Sequence, residues 1–396
     1  MFWGGFGIFW GFIIFFFSFF FFLVYFFSQG LKTIQIYLTN ILLICVLSIP
    51  FFITKADKTK SKKYFLLLAF FLNFVLIGFR HKSIGADTLV YMNGFELIAK
   101  LPFSMIRTTG YNFELGYLIF NKFISIFTQN PYSIIIISTF ISLTSIYYFI
   151  YKYSKNVWIS VFIFNTMGGI FQIMTFLRQY LALSILLFCI PLIKKQKFVP
   201  FVIVVALATS FHKTSILFLL IYFLVNIKFD LTFFVIYATF LCGIFLSINR
   251  ILPIVLTNFY PGYLQMTQWL EQTGGYKFLL LHGFLLVILI CFRPDSDKID
   301  LTDNVKNENI LYNIYISSEL ILFAIFFASL KLGLISRLMV TFEPFILLII
   351  PDIIEKIKPK QFKVAVIITT CFAMVLFSYI LLKNTYIHNL NYKFLW

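Results

Sequence analysis

Charge is what this sequence lacks most. Only 12% of its 396 residues are Asp, Glu, Lys or Arg, while 61% are hydrophobic and Phe alone supplies 56. A soluble domain carries about 25% charged residues, so this chain cannot cover a soluble globule with polar surface. Disorder is excluded as well, because it requires low hydrophobicity and high charge. None of the five cysteines forms a CxxC pair, and all lie in or beside apolar runs. That excludes a disulfide framework and a zinc knuckle. No internal repeat, low-complexity linker or soluble domain interrupts the sequence. What remains is an all-α, polytopic membrane protein read as one membrane domain over 1–396.

The net charge of +17 comes from 32 Lys+Arg against 15 Asp+Glu. No basic run lies on a soluble segment, so nucleic acid is not the expected partner. Lys and Arg at span ends fix topology instead. The N-terminus has no basic n-region and no small-residue cleavage site. Its apolar stretch from Phe6 to Phe27 is longer than a signal h-region, and reads as a retained span.

Apolar runs bounded by polar clusters predict about thirteen spans: 6–28, 34–53, 64–79, 131–151, 157–174, 177–193, 198–211, 214–227, 231–248, 277–292, 313–330, 338–350 and 364–382. Several are short for a hydrocarbon core about 30 Å thick, and those at 198–211, 214–227 and 338–350 are expected to be longer than drawn, broken or re-entrant. The densest basic clusters are Lys55 to Lys63, Lys194 to Lys197 and Lys356 to Lys363. With the N-terminus inside, all three face the cytoplasm and the C-terminus lies outside. The acidic loop with Asp295, Asp297, Asp300 and Asp303 also falls inside, as a solvated loop.

Two long loops then lie outside, at 80–130 and 249–276. In the first, Asp87 is placed to cap a helix from about Thr88 to Ala99, whose Leu89, Met92, Phe95 and Ile98 recur at helical spacing. A second helix is expected from Phe113 to Phe127. Both read as amphipathic helices at the outer interface. Tyr260, Tyr263, Trp269 and Tyr276 in the second loop suit an interfacial aromatic belt, or a sugar-stacking surface.

Under this topology the unusual polar residues sort to one face: Arg80, Asp87, Glu114, Gln172, Arg178, Gln179, His212, Lys213 and Arg337. Ionisable groups in a bilayer cost about 2.5–3.5 kcal/mol on insertion scales, so each needs a reason. Each also has a plain structural reading. Asp87 suits a helix cap, Glu114 a helix start, and His212 a packed turn. Arg80, Arg178 and Arg337 suit anchors at span ends.

The residues resemble a family. Gly78-Phe79-Arg80, Ile84-Gly85-Ala86-Asp87-Thr88 with Tyr91, Glu114-Leu115-Gly116-Tyr117, Leu177-Arg178-Gln179-Tyr180-Leu181-Ala182, Phe211-His212-Lys213-Thr214-Ser215 and Ser336-Arg337 look like the EpsG signature, in the family's order. That resemblance implies a Wzy-like polymerase with a GT-C-like architecture. Such a protein joins undecaprenyl-diphosphate-linked repeat units at the outer face of a bacterial cytoplasmic membrane. It implies substrate-binding roles for Tyr91 and Gln179.

A lipid-diphosphate donor develops charge on phosphate oxygens as its glycosidic bond breaks. Arg80, Arg178 and Arg337 offer bidentate forks for those oxygens, and Lys213 a point charge. The acceptor hydroxyl must lose a proton to a carboxylate or imidazole, for which Asp87, Glu114 and His212 are the candidates. No DxD-type pair occurs on the outer face, so neither a metal nor a cofactor is called for. A chain-length regulator is a conceivable partner. Two other readings stay open. A flippase for the lipid-linked unit would need charges through the bundle, which few spans provide. Another membrane glycosyl- or acyltransferase would place its His differently, the acyltransferase near an inner loop.

Overall fold

The computed structural model describes residues 33–53, 58–259, 275–293, 303–383 and 392–395. The expected first span at 6–28, and Tyr260, Tyr263 and Trp269, lie outside the described residues. Those described form helices joined by loops and turns, with one isolated backbone bridge. Among the described residues, six helices are long and apolar enough to cross a membrane, or up to eight if two bent pairs each count as one span. The chain is a multi-pass membrane protein.

Several of the expected runs do not form single spanning helices among the described residues, for a simple reason. Apolar runs taken singly as spans at 198–211, 214–227 and 277–292 form helices too short to cross alone: Phe198–Thr209, Lys213–Leu224 and Tyr276–Cys291. The runs at 157–174 and 338–350 fall in bent pairs. Val157–Thr166 turns by 56° into Gly169–Thr175, and Gly333–Thr341 turns by 54° into Glu343–Lys356. The expected outer loop from Asn249 begins too early, because one helix runs unbroken from Leu231 to Phe259. The polar pair Asn249–Arg250 does not end the helix, and Arg250 is exposed on it.

Contacts group the chain into two compact units. The first comprises 1–105, 121–177 and 351–396, and the second 106–120 and 178–350.

In the first unit, four helices are tied by buried amides. These are α1 (Thr33–Ile53), α2 (Lys58–Gly78), α3 (Tyr132–Tyr153) and α4 (Val157–Thr166). Asn40 donates to Asn73 Oδ1 and to Asn165 Oδ1, each at 3.0 Å, and Asn73 donates to Tyr147 Oη at 2.9 Å. Lipid tails are as apolar as side chains, so hydrogen bonds of this kind help select helix partners in a bilayer. The long helix Lys360–Lys383 packs on α1 and α4 with only 11% of its span buried by protein. Its exposed Ile368, Phe372 and Leu376 therefore face lipid.

In the second unit, α5 (Tyr276–Cys291) and α6 (Asp303–Ser329) form the closest-packed pair. At their centre lies an ion pair absent from the expectations above. His282 Nδ1 and Glu319 Oε2 are 2.7 Å apart, and both side chains are 0% exposed. Phe326 stacks on the imidazole at 5.1 Å. Glu343, at the bend after Thr341, is buried as well.

Candidate active site

Three stretches far apart in sequence meet at one place in the second unit. The first is the turn before Leu115–Phe127, a helix whose opening residues belong to this unit. Here Gly116 permits a close approach: its N–H donates to Ser210 O at 2.8 Å. A Cβ on Gly116 would lie 2.3 Å from Ser210 Oγ and 2.8 Å from Ser210 O, so no larger residue fits without movement. The contact fixes Glu114 beside the second stretch, the turn at 210–213. Glu114 Oε1 accepts the Lys213 backbone N–H at 3.2 Å and lies 3.5 Å from His212 Nδ1.

The third stretch opens the helix Leu177–Leu186. Arg178 Nη1 donates to Glu114 Oε2 and to Asn112 O, the latter at 3.2 Å. Its guanidinium lies over the Phe113 ring at 4.9 Å and near that of Tyr117 at 5.9 Å, which favours the cation further. Gln179 follows, with its amide nitrogen 2.9 Å from His212 Nε2. The Glu114 side chain is 8% exposed, that of His212 13% and that of Arg178 20%. The knot is sheltered yet open along the Arg178 side. Lys213 is exposed beside it. The segment Gly333–Thr341, which carries Arg337, packs against Lys213–Phe218. Five of the expected residues thus converge, and the segment of a sixth lies alongside.

His212 lies in a turn, outside the spanning helices. Its burial, with the positive charges of Arg178 and Lys213 added, pulls the imidazole from 6.5 down to about 3. His212 is therefore neutral over the working range. The unfolded imidazole takes up a proton below 6.5 and the folded one only near 3. Stability is therefore lost as pH falls through that window. Thermal unfolding in detergent at about pH 7 and about pH 4.5 should show an acid loss that is smaller in His212→Gln.

Arg80, Asp87 and Tyr91 belong to the first unit, as does Gln172. Arg80 is fully buried. Nη1 donates to Ile77 O at 2.6 Å, Nε to Ile84 O at 3.1 Å, and Nη2 to Thr88 Oγ1 and Met174 O, both at 3.2 Å. Gly85, at φ +95°, lets the loop close over it, since a Cβ there would lie 2.6 Å from Thr88 Oγ1. Arg80 is thus an internal pin with no face open to a phosphate. Its replacement by Met should cost at least about 2 kcal/mol, because the Ile77 and Met174 carbonyls each lose a donor worth about 1–3, whereas Ile84 O keeps the Thr88 hydroxyl. The loss is read as a lower melting temperature.

Asp87 stands at the N-cap position of Thr88–Lys100, as expected, but makes no side-chain capping bond. Instead Thr88 Oγ1 bonds Ile84 O at 2.7 Å. Tyr91 is buried, with its hydroxyl directed to Thr175 O at 3.5 Å. Sequence reasoning missed Asn112, Phe113 and Tyr117 as supports of Arg178. It also missed His282, Glu319 and Glu343, whose only signal was a lone ionisable residue in an apolar run.

No curated protein and no solved structure matches this chain. The EpsG family model matches residues 63–394, which takes in every convergent residue above, and the chain belongs to the EpsG family.

Proposed function

We propose that this protein is a membrane polysaccharide polymerase of the Wzy-like kind, with a GT-C-like architecture. It transfers a glycan from an undecaprenyl-diphosphate carrier onto a second lipid-linked repeat unit at the extracytoplasmic face of a bacterial cytoplasmic membrane. Membership of the EpsG family supports the reaction class. The observation that carries the site is the knot of Glu114, Arg178, His212 and Lys213, built from three distant segments.

The chemistry follows from charge. As the anomeric C–O bond breaks, its electron pair goes to the diphosphate. Arg178, with Lys213 and Arg337 alongside, supplies the positive charge that stabilises it. In the structure Arg178 is held by Glu114. An arriving diphosphate competes for that guanidinium and frees the carboxylate at the moment the acceptor is bound. The acceptor hydroxyl then loses its proton to a group in the knot.

Gly116→Ala tests the geometry. It should part Glu114 from the 210–213 turn and lower chain growth about 10²-fold, as misplacement by about an ångström does. The decisive experiment reconstitutes the protein in vesicles with a lipid-linked repeat and follows glycan ladders. Normal growth in both Arg178→Ala and His212→Ala would remove this site. A flippase would need polar groups lining a path across the bilayer. The central pair His282 and Glu319 is wholly enclosed and lines none.

A further inference from the structure

The knot holds two groups able to take the acceptor proton, and their hydrogen bonds separate the roles. Gln179 Nε2 lies 2.9 Å from His212 Nε2, while His212 Nδ1 faces Glu114 Oε1 at 3.5 Å. A neutral imidazole carries one N–H and one lone pair, so the two contacts must agree on where the proton sits. If Gln179 presents its NH₂, the ring accepts at Nε2 and the proton lies on Nδ1, directed at a carboxylate oxygen. If the amide is turned over, Nε2 must carry the proton. The Nδ1 lone pair then confronts Glu114, acceptor against acceptor. Only the first arrangement turns an N–H rather than a lone pair towards the carboxylate, a contact that at 3.5 Å is electrostatic and not a hydrogen bond.

Building on the polymerase reading above, we propose that Gln179 is a positioning residue that holds His212 as its Nδ1–H tautomer, and that the proton acceptor of the transfer is Glu114. His212 Nε2 is occupied by the Gln179 amide and is not the base. Its Nδ1–H instead steers the Glu114 carboxylate. The acceptor O–H breaks as its oxygen bonds the anomeric carbon. That proton goes to Glu114, and the donor's C–O electron pair leaves with the diphosphate. Gln179 needs no contact with substrate to act in this way.

The test begins with the tautomer, which is independent of any activity. The chain has 4 histidines, so nitrogen-15 histidine spectra in bilayers are assigned by comparison with His212→Gln. The wild type should show His212 protonated at Nδ1. An Nε2–H signature overturns the proposal, even if the polymerase reading stands. Gln179→Glu supplies the second arm. Its carboxylate accepts from the ring and imposes Nε2–H, the wrong tautomer. That should lower kcat at least about 10²-fold with KM little changed, as tautomer reversal does in other imidazole-based sites. At lower pH the protonated Glu donates again, so Gln179→Glu should regain activity relative to the wild type. Unchanged kcat, or no acid recovery, counts against the assignment. Absence of chain growth in the wild type would sink the polymerase reading while leaving the spectroscopic result intact.

Discussion

Arg178→Lys should cut glycan chain growth about 10²–10³-fold, equivalent to about 2.7–4 kcal/mol of transition-state stabilisation. Lysine keeps the positive charge, but not the planar fork that grips two phosphate oxygens, nor the flat face that lies over Phe113. Arg178→Ala goes further, because it leaves the largely buried Glu114 carboxylate without its cation. Its loss therefore mixes catalysis with folding. The double variant Arg178→Ala with Glu114→Gln isolates the folding part by its melting temperature, since it relieves the uncompensated charge; its chain growth is lost with Glu114 in any case. Its melting temperature should return towards the wild-type value while chain growth stays absent. A double variant that polymerised normally would show that Arg178 serves only to satisfy Glu114 and that Glu114 is not the proton acceptor.

His282→Ala should be the most destabilising substitution in the second unit, at about 3–5 kcal/mol. It leaves the fully buried Glu319 carboxyl, in the helix Asp303–Ser329, without its hydrogen-bond partner. Taking both partners away has a different effect. His282→Leu with Glu319→Met fills similar volume with apolar atoms, and replacement of buried pairs in this way is often neutral or stabilising. Melting in detergent should show the single variant far below the wild type and the double variant close to it. Chain growth per folded molecule should be unchanged in the double variant. A double variant as unstable as the single one would mean that the pair holds α5 to α6 in a way that apolar packing cannot replace.

Much of this architecture was legible, for a physical reason. Long apolar runs have little choice in a bilayer but to form helices, so α1 to α4 and Lys360–Lys383 lie close to where hydropathy puts them. Breaks within runs were harder to read. Gly168 and Phe342 mark bends, but apolar residues continue on both sides, and composition carries no angle. The site was readable where its residues sit at the ends of runs, as Glu114, Arg178 and His212 do. Arg80 sits at such an end too. Only the folded loop around Gly85 and Met174 shows that its donors are turned inward. His282 and Glu319 were the opposite case. Each is a lone ionisable residue in an apolar run, and pairing between helices 37 positions apart is not encoded in either run alone.

The backbone around Arg80 also joins the far end of the polypeptide. His81 N–H donates to Lys393 O at 2.8 Å, Leu395 N–H donates to Phe79 O at 3.0 Å, and the Tyr392 hydroxyl reaches Leu76 O, 316 positions earlier. During biosynthesis the ribosome delivers residues 76–81 long before their partners exist. This corner must therefore wait, half-assembled, through the insertion of every later helix. A nascent chain stalled before Tyr392 would leave it unfinished, and quality-control proteases would find their first foothold there.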